Sequence, residues 1–135
     1  DGVHVHPAVV RAVIEAAGPE RVALVTDAIA AAGCDDGAFR LGTVAIDVAS
    51  GVARVHGTST IAGSTATMDA LFRQVAAPGS DAALAAAVRM TSATPARALG
   101  LSDVGELRAG YDANLVVLDR ELRVTAVMVG GEWVR

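Results

Sequence analysis

The feature that most constrains this chain is a strand–helix–strand pattern in its first 26 residues. Residues 2–5 have the composition of a strand, and residues 7–18 carry apolar side chains at helical spacing between a proline and a glycine. Residues 22–25 form a short continuous apolar run, which is typical of a strand buried on both faces. A crossover of this length predicts that the two strands are parallel neighbours.

Two polar residues follow from this pattern as candidates for a functional site. The carboxyl ends of parallel strands meet at one edge of a sheet, which is where α/β proteins bind ligands, so we expect His4 and Asp27 to lie together there. The carboxylate of Asp27 suits three roles: metal ligand, general base, or cap of the next helix or turn. Adjacency to Asp27 favours a functional role for His4 over that of a core histidine.

The other histidines and the cysteine have simpler interpretations. His4 and His6 have the spacing of a two-histidine metal clamp on a strand, but the proline after His6 makes their register unreliable, and we interpret His6 as structural. His56 ends a predicted hairpin strand and is expected at the surface. Cys34 has no basic neighbour in sequence, which indicates a small apolar side chain rather than a nucleophile.

The rest of the chain predicts antiparallel strands mixed with short helices. Alternating residues predict a hairpin at 44–57, and a glycine-bearing loop follows at 57–64. That loop lacks the lysine of a phosphate-binding P-loop. The next prediction is a helix that is capped by Ser64 and has Met68, Leu71, Phe72 and Val75 on one face, followed by a break at PGSD (78–81). A helix at 82–90 and a short helix from a Thr94 cap to Gly100 come next. The last predicted elements are strands at 112–119 and 123–129 and a Gly130–Gly131 turn.

These elements predict an incomplete α/β architecture. A lone parallel pair leaves both strand edges and most apolar side chains without partners, so two strands cannot close a barrel. We therefore expect the end of a parallel α/β barrel, interleaved with part of a small antiparallel sheet, within a longer protein.

Composition narrows the classes of partner. The formal charge of −4, with 3% aromatic residues and no cluster of Lys or Arg, argues against a nucleic-acid surface and favours a small-molecule partner. No apolar run approaches the roughly 20 residues that span a bilayer, which predicts a soluble chain without a membrane partner. The single cysteine fits a reducing compartment, and we expect a cytoplasmic location.

Several motifs, in this order and at these separations, resemble one enzyme family. They are DGVHV (1–5), LVTDA (24–28), GTSTIAGS (57–64), TSATPARALGL (91–101), GELRAGYDANLVVLD (105–119) and VMVGGEWV (127–134). Together they resemble the carboxyl-terminal third of the N-acetylglucosamine-6-phosphate deacetylases, which belong to the amidohydrolase superfamily. The stretch at 105–119 is common to many amidohydrolases, whereas the first three motifs are more specific to the deacetylases.

The resemblance implies a fold and its division along the chain. It implies a barrel of eight β/α units beside a small β-sandwich, with residues 1–43 forming the last two barrel strands and their connecting helix. Residues 44–57 would then be a hairpin insert, residues 58–100 the substrate loop and the last barrel helices, and residues 101–135 strands of the sandwich.

The resemblance also implies a reaction and a set of site residues. The family hydrolyses the acetamide of N-acetylglucosamine 6-phosphate to glucosamine 6-phosphate and acetate, in the recycling of amino sugars. By this match Asp27 would be the catalytic acid and base, and His4 would contact the acetamide carbonyl. Thr60, Ile61, Ala62 and Gly63 would line the sugar.

The family's metal, zinc or iron, is expected to be held by Glu and His ligands upstream of this chain. The isolated 135 residues are therefore expected neither to bind it tightly nor to hydrolyse the substrate. The complete protein is expected to be a homodimer. Two alternatives stay open: a dihydroorotase-like or dihydropyrimidinase-like amidohydrolase, and a non-catalytic fragment or interaction domain.

Overall fold

The computed structural model describes residues 1–76 and 79–134 as an α/β chain with two small antiparallel sheets. The first sheet has the order β1–β2–β3 and the second β4–β5–β6. Proline 78 of the predicted PGSD break lies outside the described residues. The elements are α1 (Pro7–Ala17), β1 (Gly37–Leu41), β2 (Val44–Ala49), β3 (Val52–Val55), α2 (Met68–Ala76), α3 (Asp81–Val88), a π-helical turn (Arg89–Ala93), α4 (Thr94–Ala98), β4 (Leu115–Leu118), β5 (Val124–Val129) and β6 (Glu132–Trp133).

The two strands predicted near the start are wrong for this structure. Residues 2–5 and 22–25 belong to no strand, and neither pairs with the other. Strand geometry depends on ladder hydrogen bonds to a neighbour, and the described part of the chain offers these segments none. Leu24 instead donates its N–H to the carbonyl of Met90 at 2.9 Å. Val3, Val5 and Val25 stay exposed, Val25 to 73%, whereas Val22 and Leu24 are half-buried.

Helix α1 confirms the prediction for residues 7–17. Pro7 occupies the first turn, and His6 Nδ1 accepts a hydrogen bond from the N–H of Ala8 at 3.2 Å, which is the structural role expected of this histidine. Gly18 ends the helix at φ +78° and donates its N–H to the carbonyl of Ile14.

The first sheet contains the predicted hairpin and one strand that sequence analysis missed. β2 pairs with β3 on one side and with β1 on the other, with Ile46 opposite both Phe39 and Val55. β1 escapes periodicity arguments because Phe39 is its only large apolar residue besides the exposed Leu41. The core beneath this sheet joins Ala31, Ile46, Val48 and Ala53, with Ile29 and Ala62 packed against it.

The carboxyl-terminal helices differ from prediction at both expected caps. Ser64 does not cap α2, which begins four residues later; its Oγ accepts from the N–H of Ala66 at 2.9 Å. Thr94 does not cap α4, because the π-helical turn continues α3 directly into it. The Thr94 hydroxyl donates instead to the carbonyl of Pro19 at 2.8 Å, while Gly100 follows the helix end as predicted.

Helix α2 carries one acidic group with a perturbed titration. A hydrogen bond from Thr67, followed by the bond from Arg73 at 2.7 Å, holds the pKa of Asp69 below its usual range. Because the folded-state pKa is lowered, these bonds stabilise the fold above the unfolded-state pKa, and that stabilisation is lost as the pH falls through the folded-state pKa.

The second sheet follows the predicted strands. β4 pairs with β5, and the two-residue turn at Gly130–Gly131, with φ of +58° and +86°, returns the chain into β6. The sheet is largely exposed, and Trp133 keeps 58% of its surface accessible. Among the described helices, none has the length and apolarity needed to cross a membrane.

Gly105, which packs against residues 92–96, should tolerate substitution less well than Gly110. A Cβ there would lie 2.9 Å from the Ala96 Cβ and 3.0 Å from the Ser92 carbonyl oxygen, whereas Gly110, with a similar φ, has nothing within 4 Å. We expect Gly105→Ala to lower the free energy of unfolding by about 1–3 kcal/mol more than Gly110→Ala. Denaturant unfolding of the protein containing this segment measures both, and equal losses would show that the packing around Gly105 is not tight.

Candidate active site

His4 and Asp27 meet, as the sequence predicts, although neither lies at the end of a strand. His4 Nε2 lies 3.5 Å from Asp27 Oδ2. His4 belongs to the irregular segment before α1, and Asp27 follows residues 22–26, which have no regular secondary structure. Since two segments converge on one point from opposite ends of α1, the helix sets the distance between the imidazole and the carboxylate.

The backbone of Asp27 has an uncommon conformation. Its φ is +52°, in the left-handed region that non-glycine residues rarely adopt and that aspartate tolerates better than most. The Thr26 hydroxyl accepts a hydrogen bond from the N–H of Ala28 at 3.3 Å across this turn. The Asp27 side chain is 72% exposed, so a ligand or water molecule can reach its carboxylate directly.

Residues 57–64, here called the glycine loop, connect the first sheet to Asp27. Thr60 and Ala62 bond through their backbones to β3, and Ile61 forms an isolated bridge with Arg54. Beyond them, Ser64 donates its N–H to the Asp27 carbonyl at 2.8 Å and accepts from the N–H of Ile29 at 3.0 Å.

The four loop residues predicted to line a sugar therefore divide into two groups. Gly63 lies against Asp27, since a Cβ on Gly63 would be 3.2 Å from the Asp27 carbonyl oxygen and 2.5 Å from Ile29 Cγ2. Thr60, Ile61 and Ala62 run along β3 instead. Only glycine leaves room for the loop to approach Asp27 this closely.

Asp1 is a third residue of this site, and the sequence pattern did not predict it. Its Oδ2 lies 2.6 Å from His4 Nδ1, and its Oδ1 accepts from the N–H groups of Val3 and His4 at 3.0 Å each. The side chain is 10% exposed, much less than that of Asp27. The signal was the spacing of Asp1 and His4, three residues apart, in which an aspartate can bond to the backbone just after it.

The remaining candidate residues lie apart from this group. His56 Nδ1 pairs with Asp47 Oδ2 at 2.7 Å on the exposed hairpin, which agrees with its predicted surface position. Cys34 is exposed, and its Sγ donates a weak hydrogen bond to the carbonyl of Ala30 at 3.8 Å. That it is a small apolar side chain rather than a nucleophile stays a prediction.

A large open groove borders the pair. It measures about 440 Å³ and runs from His4 and Asp27 along α1 towards α2, and its walls are mainly aliphatic. Val10, Ile14 and Leu71 are among the residues that line it. Its apolar walls suit protein packing better than they suit a charged sugar phosphate.

A metal centre is not formed by the residues described here. Within residues 1–76 and 79–134, no group of three or more His, Cys, Asp or Glu side chains is placed to hold a metal ion. What the described site offers is a carboxylate that accepts protons, an imidazole that donates hydrogen bonds, and a second carboxylate behind the imidazole.

Comparison of the sequence with known proteins identifies a family. The amidohydrolase family model matches residues 1–134. The chain is 40% identical to N-acetylglucosamine-6-phosphate deacetylase from Danio rerio, covering 99% of this chain and 33% of the relative. It is also 37% identical to the putative N-acetylgalactosamine-6-phosphate deacetylase of Escherichia coli K12, covering 98% of this chain and 78% of the relative.

Comparison with solved structures also finds a deacetylase. An aspartate-to-alanine variant of N-acetyl-D-glucosamine-6-phosphate deacetylase from Mycobacterium smegmatis, in complex with N-acetyl-D-glucosamine-6-phosphate, superimposes with a TM-score of 0.92 at 56% identity. The match covers 98% of this chain and 35% of that one, so the chain spans about a third of the length of this relative and of the Danio rerio relative. The chain belongs to the amidohydrolase family.

Proposed function

We propose that this chain is the carboxyl-terminal part of a deacetylase that hydrolyses the acetamide of N-acetylglucosamine 6-phosphate, releasing glucosamine 6-phosphate and acetate. The observation that carries the proposal is the approach of His4 Nε2 to Asp27 Oδ2 at 3.5 Å, because it joins a hydrogen-bond donor to a proton acceptor. The names of the relatives supply the substrate class.

Amide hydrolysis requires the functions that these two side chains can perform. Asp27 takes a proton from the attacking water, whose oxygen bonds to the acetamide carbon. The same carboxyl returns the proton to the sugar nitrogen as the carbon–nitrogen bond breaks. His4 donates a hydrogen bond to the carbonyl oxygen while negative charge develops there. The exposure of the Asp27 carboxylate supports this role, since water must reach it.

The amidohydrolase family generally uses a divalent metal, and the described residues do not fit one. We propose that zinc or iron is held by residues of the longer protein outside this chain. This chain is therefore assigned only the proton transfers of Asp27 and the hydrogen bond of His4.

We propose that residues 1–43 form the end of the barrel, with residues 2–5 and 22–25 at the positions of its last two strands, and that the turn joining Asp1 to His4 is kept when the longer protein supplies their neighbours. The exposed side chains of Val3, Val5 and Val25 and the aliphatic groove beside them support this, because both are surfaces that strands and helices of a barrel would cover. The hairpin insert at 44–57, the helices within 58–100 and the sandwich strands within 101–135 complete the proposed division. A homodimer stays a prediction for the complete protein.

The substrate itself is open to direct assay. Relatives are named for both N-acetylglucosamine and N-acetylgalactosamine 6-phosphates, and we propose the glucosamine derivative because the 56%-identical structure contains it. Release of acetate from each sugar phosphate by the full-length protein compares the two. Release from neither, by metal-loaded protein, would favour a different amidohydrolase activity or a non-catalytic role.

Replacing Asp27 by asparagine should abolish most turnover without unfolding the protein. Asparagine keeps the shape and tolerates positive φ, but its amide cannot accept the proton of water. We expect kcat to fall by about 100-fold or more while the substrate Kd and the thermal midpoint change little. Asp47→Asn is the control, because Asp47 also pairs with a histidine but lies on the exposed hairpin. Near-normal turnover in Asp27→Asn would remove Asp27 from the mechanism.

Replacing His4 by asparagine should lower turnover and leave the metal content of the full-length protein unchanged. Loss of one donor to the developing oxyanion costs about 3 kcal/mol of activation free energy, or about 100-fold in kcat. The control is His56→Asn, which we expect to be indistinguishable from the unmodified protein. Elemental analysis decides the alternative, because loss of the metal would make His4 a ligand instead.

Adding a methyl group at Gly63 should disturb the carboxylate through the glycine loop. Gly63→Ala places a Cβ 2.5 Å from Ile29 Cγ2, whereas Gly57, at the other end of the loop, has nothing within 4 Å. Both substitutions strain a positive φ, but only the Cβ at position 63 would meet neighbouring atoms, so only Gly63→Ala should also displace Asp27. We expect kcat to fall about 10- to 100-fold in Gly63→Ala and to stay within about twofold in Gly57→Ala. Equal kinetics would mean that the loop does not position Asp27.

A further inference from the structure

Asp1 bonds to His4 in two independent ways. One oxygen, Oδ1, accepts the backbone N–H groups of Val3 and His4, and the other, Oδ2, lies 2.6 Å from His4 Nδ1. The three side chains form a chain of contacts, since the other ring nitrogen of His4, Nε2, lies 3.5 Å from Asp27 Oδ2. Asp1 is the most sheltered of the three, because its side chain is 10% exposed against 31% for His4 and 72% for Asp27.

We propose that Asp1 is a positioning residue, which acts through His4 by fixing the orientation and the hydrogen of its ring. The proposal rests on the function assigned to His4 above. An ionised carboxylate only accepts hydrogen bonds, so the Nδ1 that faces it carries a hydrogen. With Nδ1 anchored in this way, Nε2 is directed at Asp27.

The anchored ring can then act as a charged donor. When Nε2 also carries a hydrogen, the ring is an imidazolium, and the Asp1 carboxylate balances its charge at close range. A charge-assisted hydrogen bond to a developing oxyanion is stronger than one from a neutral ring. Asp1 therefore supports turnover without touching the substrate.

A backbone cap alone does not explain this geometry. Asp119 also uses one oxygen, Oδ1, to accept two backbone N–H groups, those of Glu121 and Arg123, at 2.9 and 2.8 Å. Asp1 caps the backbone in the same manner and in addition directs its second oxygen at an imidazole nitrogen. The two aspartates thus separate the capping role from the positioning role within one chain.

Asp1→Asn in the full-length protein tests the proposal. Asparagine keeps Oδ1 for the two backbone N–H groups, which leaves its amide nitrogen, a donor, opposite His4 Nδ1. The ring must then accept at Nδ1 and carry its hydrogen on Nε2, so it stays neutral. We expect kcat to fall at least about tenfold, with KM changed less than about threefold. Asp119→Asn, the matched control, should leave both constants unchanged.

A double-variant cycle tests whether Asp1 acts through His4. In a His4→Asn background, Asp1→Asn should cause no further loss of kcat, because the ring that it orients is gone. Multiplied losses would overturn the inference, as would a kcat within about twofold of normal in Asp1→Asn alone. If that variant does not fold, Asp1→Ser, which retains a capping oxygen, should show the same loss.

The cycle also separates this inference from the function on which it rests. A large loss in His4→Asn with normal turnover in Asp1→Asn would overturn the positioning role alone. Normal turnover in His4→Asn would overturn the proposed role of His4, and the positioning role with it. Thermal midpoints of all variants establish that each is folded at the assay temperature.

Discussion

The short pairing between Ser64 and residues 27–29 is the constraint on which the candidate site depends. Its two backbone hydrogen bonds, from Ser64 to the Asp27 carbonyl and from Ile29 to the Ser64 carbonyl, join the glycine loop to the turn at Asp27. Ser64 is 2% exposed, so these bonds are shielded from water. On one side the loop is bonded to β3, and on the other Ile29 and Ala31 enter the core beneath the sheet. The sheet thereby holds a residue that lies outside it.

The conformation of Asp27 illustrates why such support is needed. A non-glycine residue at positive φ carries a conformational cost of about 1–2 kcal/mol, and nothing in its own side chain repays it locally, because the carboxylate is 72% exposed. The bonds around Ser64 offset that cost from outside the residue. Among the described residues, the Asp27 carboxylate contacts His4 at 3.5 Å and otherwise stays exposed and available for chemistry.

Elements that are determined by residues close together in the sequence were predicted correctly, and elements that depend on distant neighbours were not. Helix α1 and the Gly130–Gly131 turn were predicted correctly because a proline, glycines and local periodicity determine them within a few residues. Residues 2–5 and 22–25 were predicted as strands and are not, because a strand requires a neighbour that local sequence does not supply. The Thr94 cap was wrong for a related reason, since a π-helical turn bonded to Leu24 through Met90 continues the helix. The proximity of His4 and Asp27 was nevertheless predicted, because it needs only that residues 22–26 return alongside α1 to the end where His4 lies, and not that either segment be a paired strand.

Asp1 shows what pattern reasoning overlooks and how structure changes the interpretation of a motif. In the sequence, His4 and His6 stand two residues apart, which is the spacing of a two-histidine metal clamp on a strand. The structure gives them different roles: His6 caps α1, and His4 faces Asp27. The partner of His4 is an aspartate three residues earlier, and that distance suits a turn rather than a strand. Because the segment turns, Asp1 can bond both the backbone and the ring of the same histidine, which a straight strand would prevent by pointing residues 1 and 4 to opposite faces. The departure from strand geometry is therefore what builds the chain of contacts from Asp1 through His4 to Asp27.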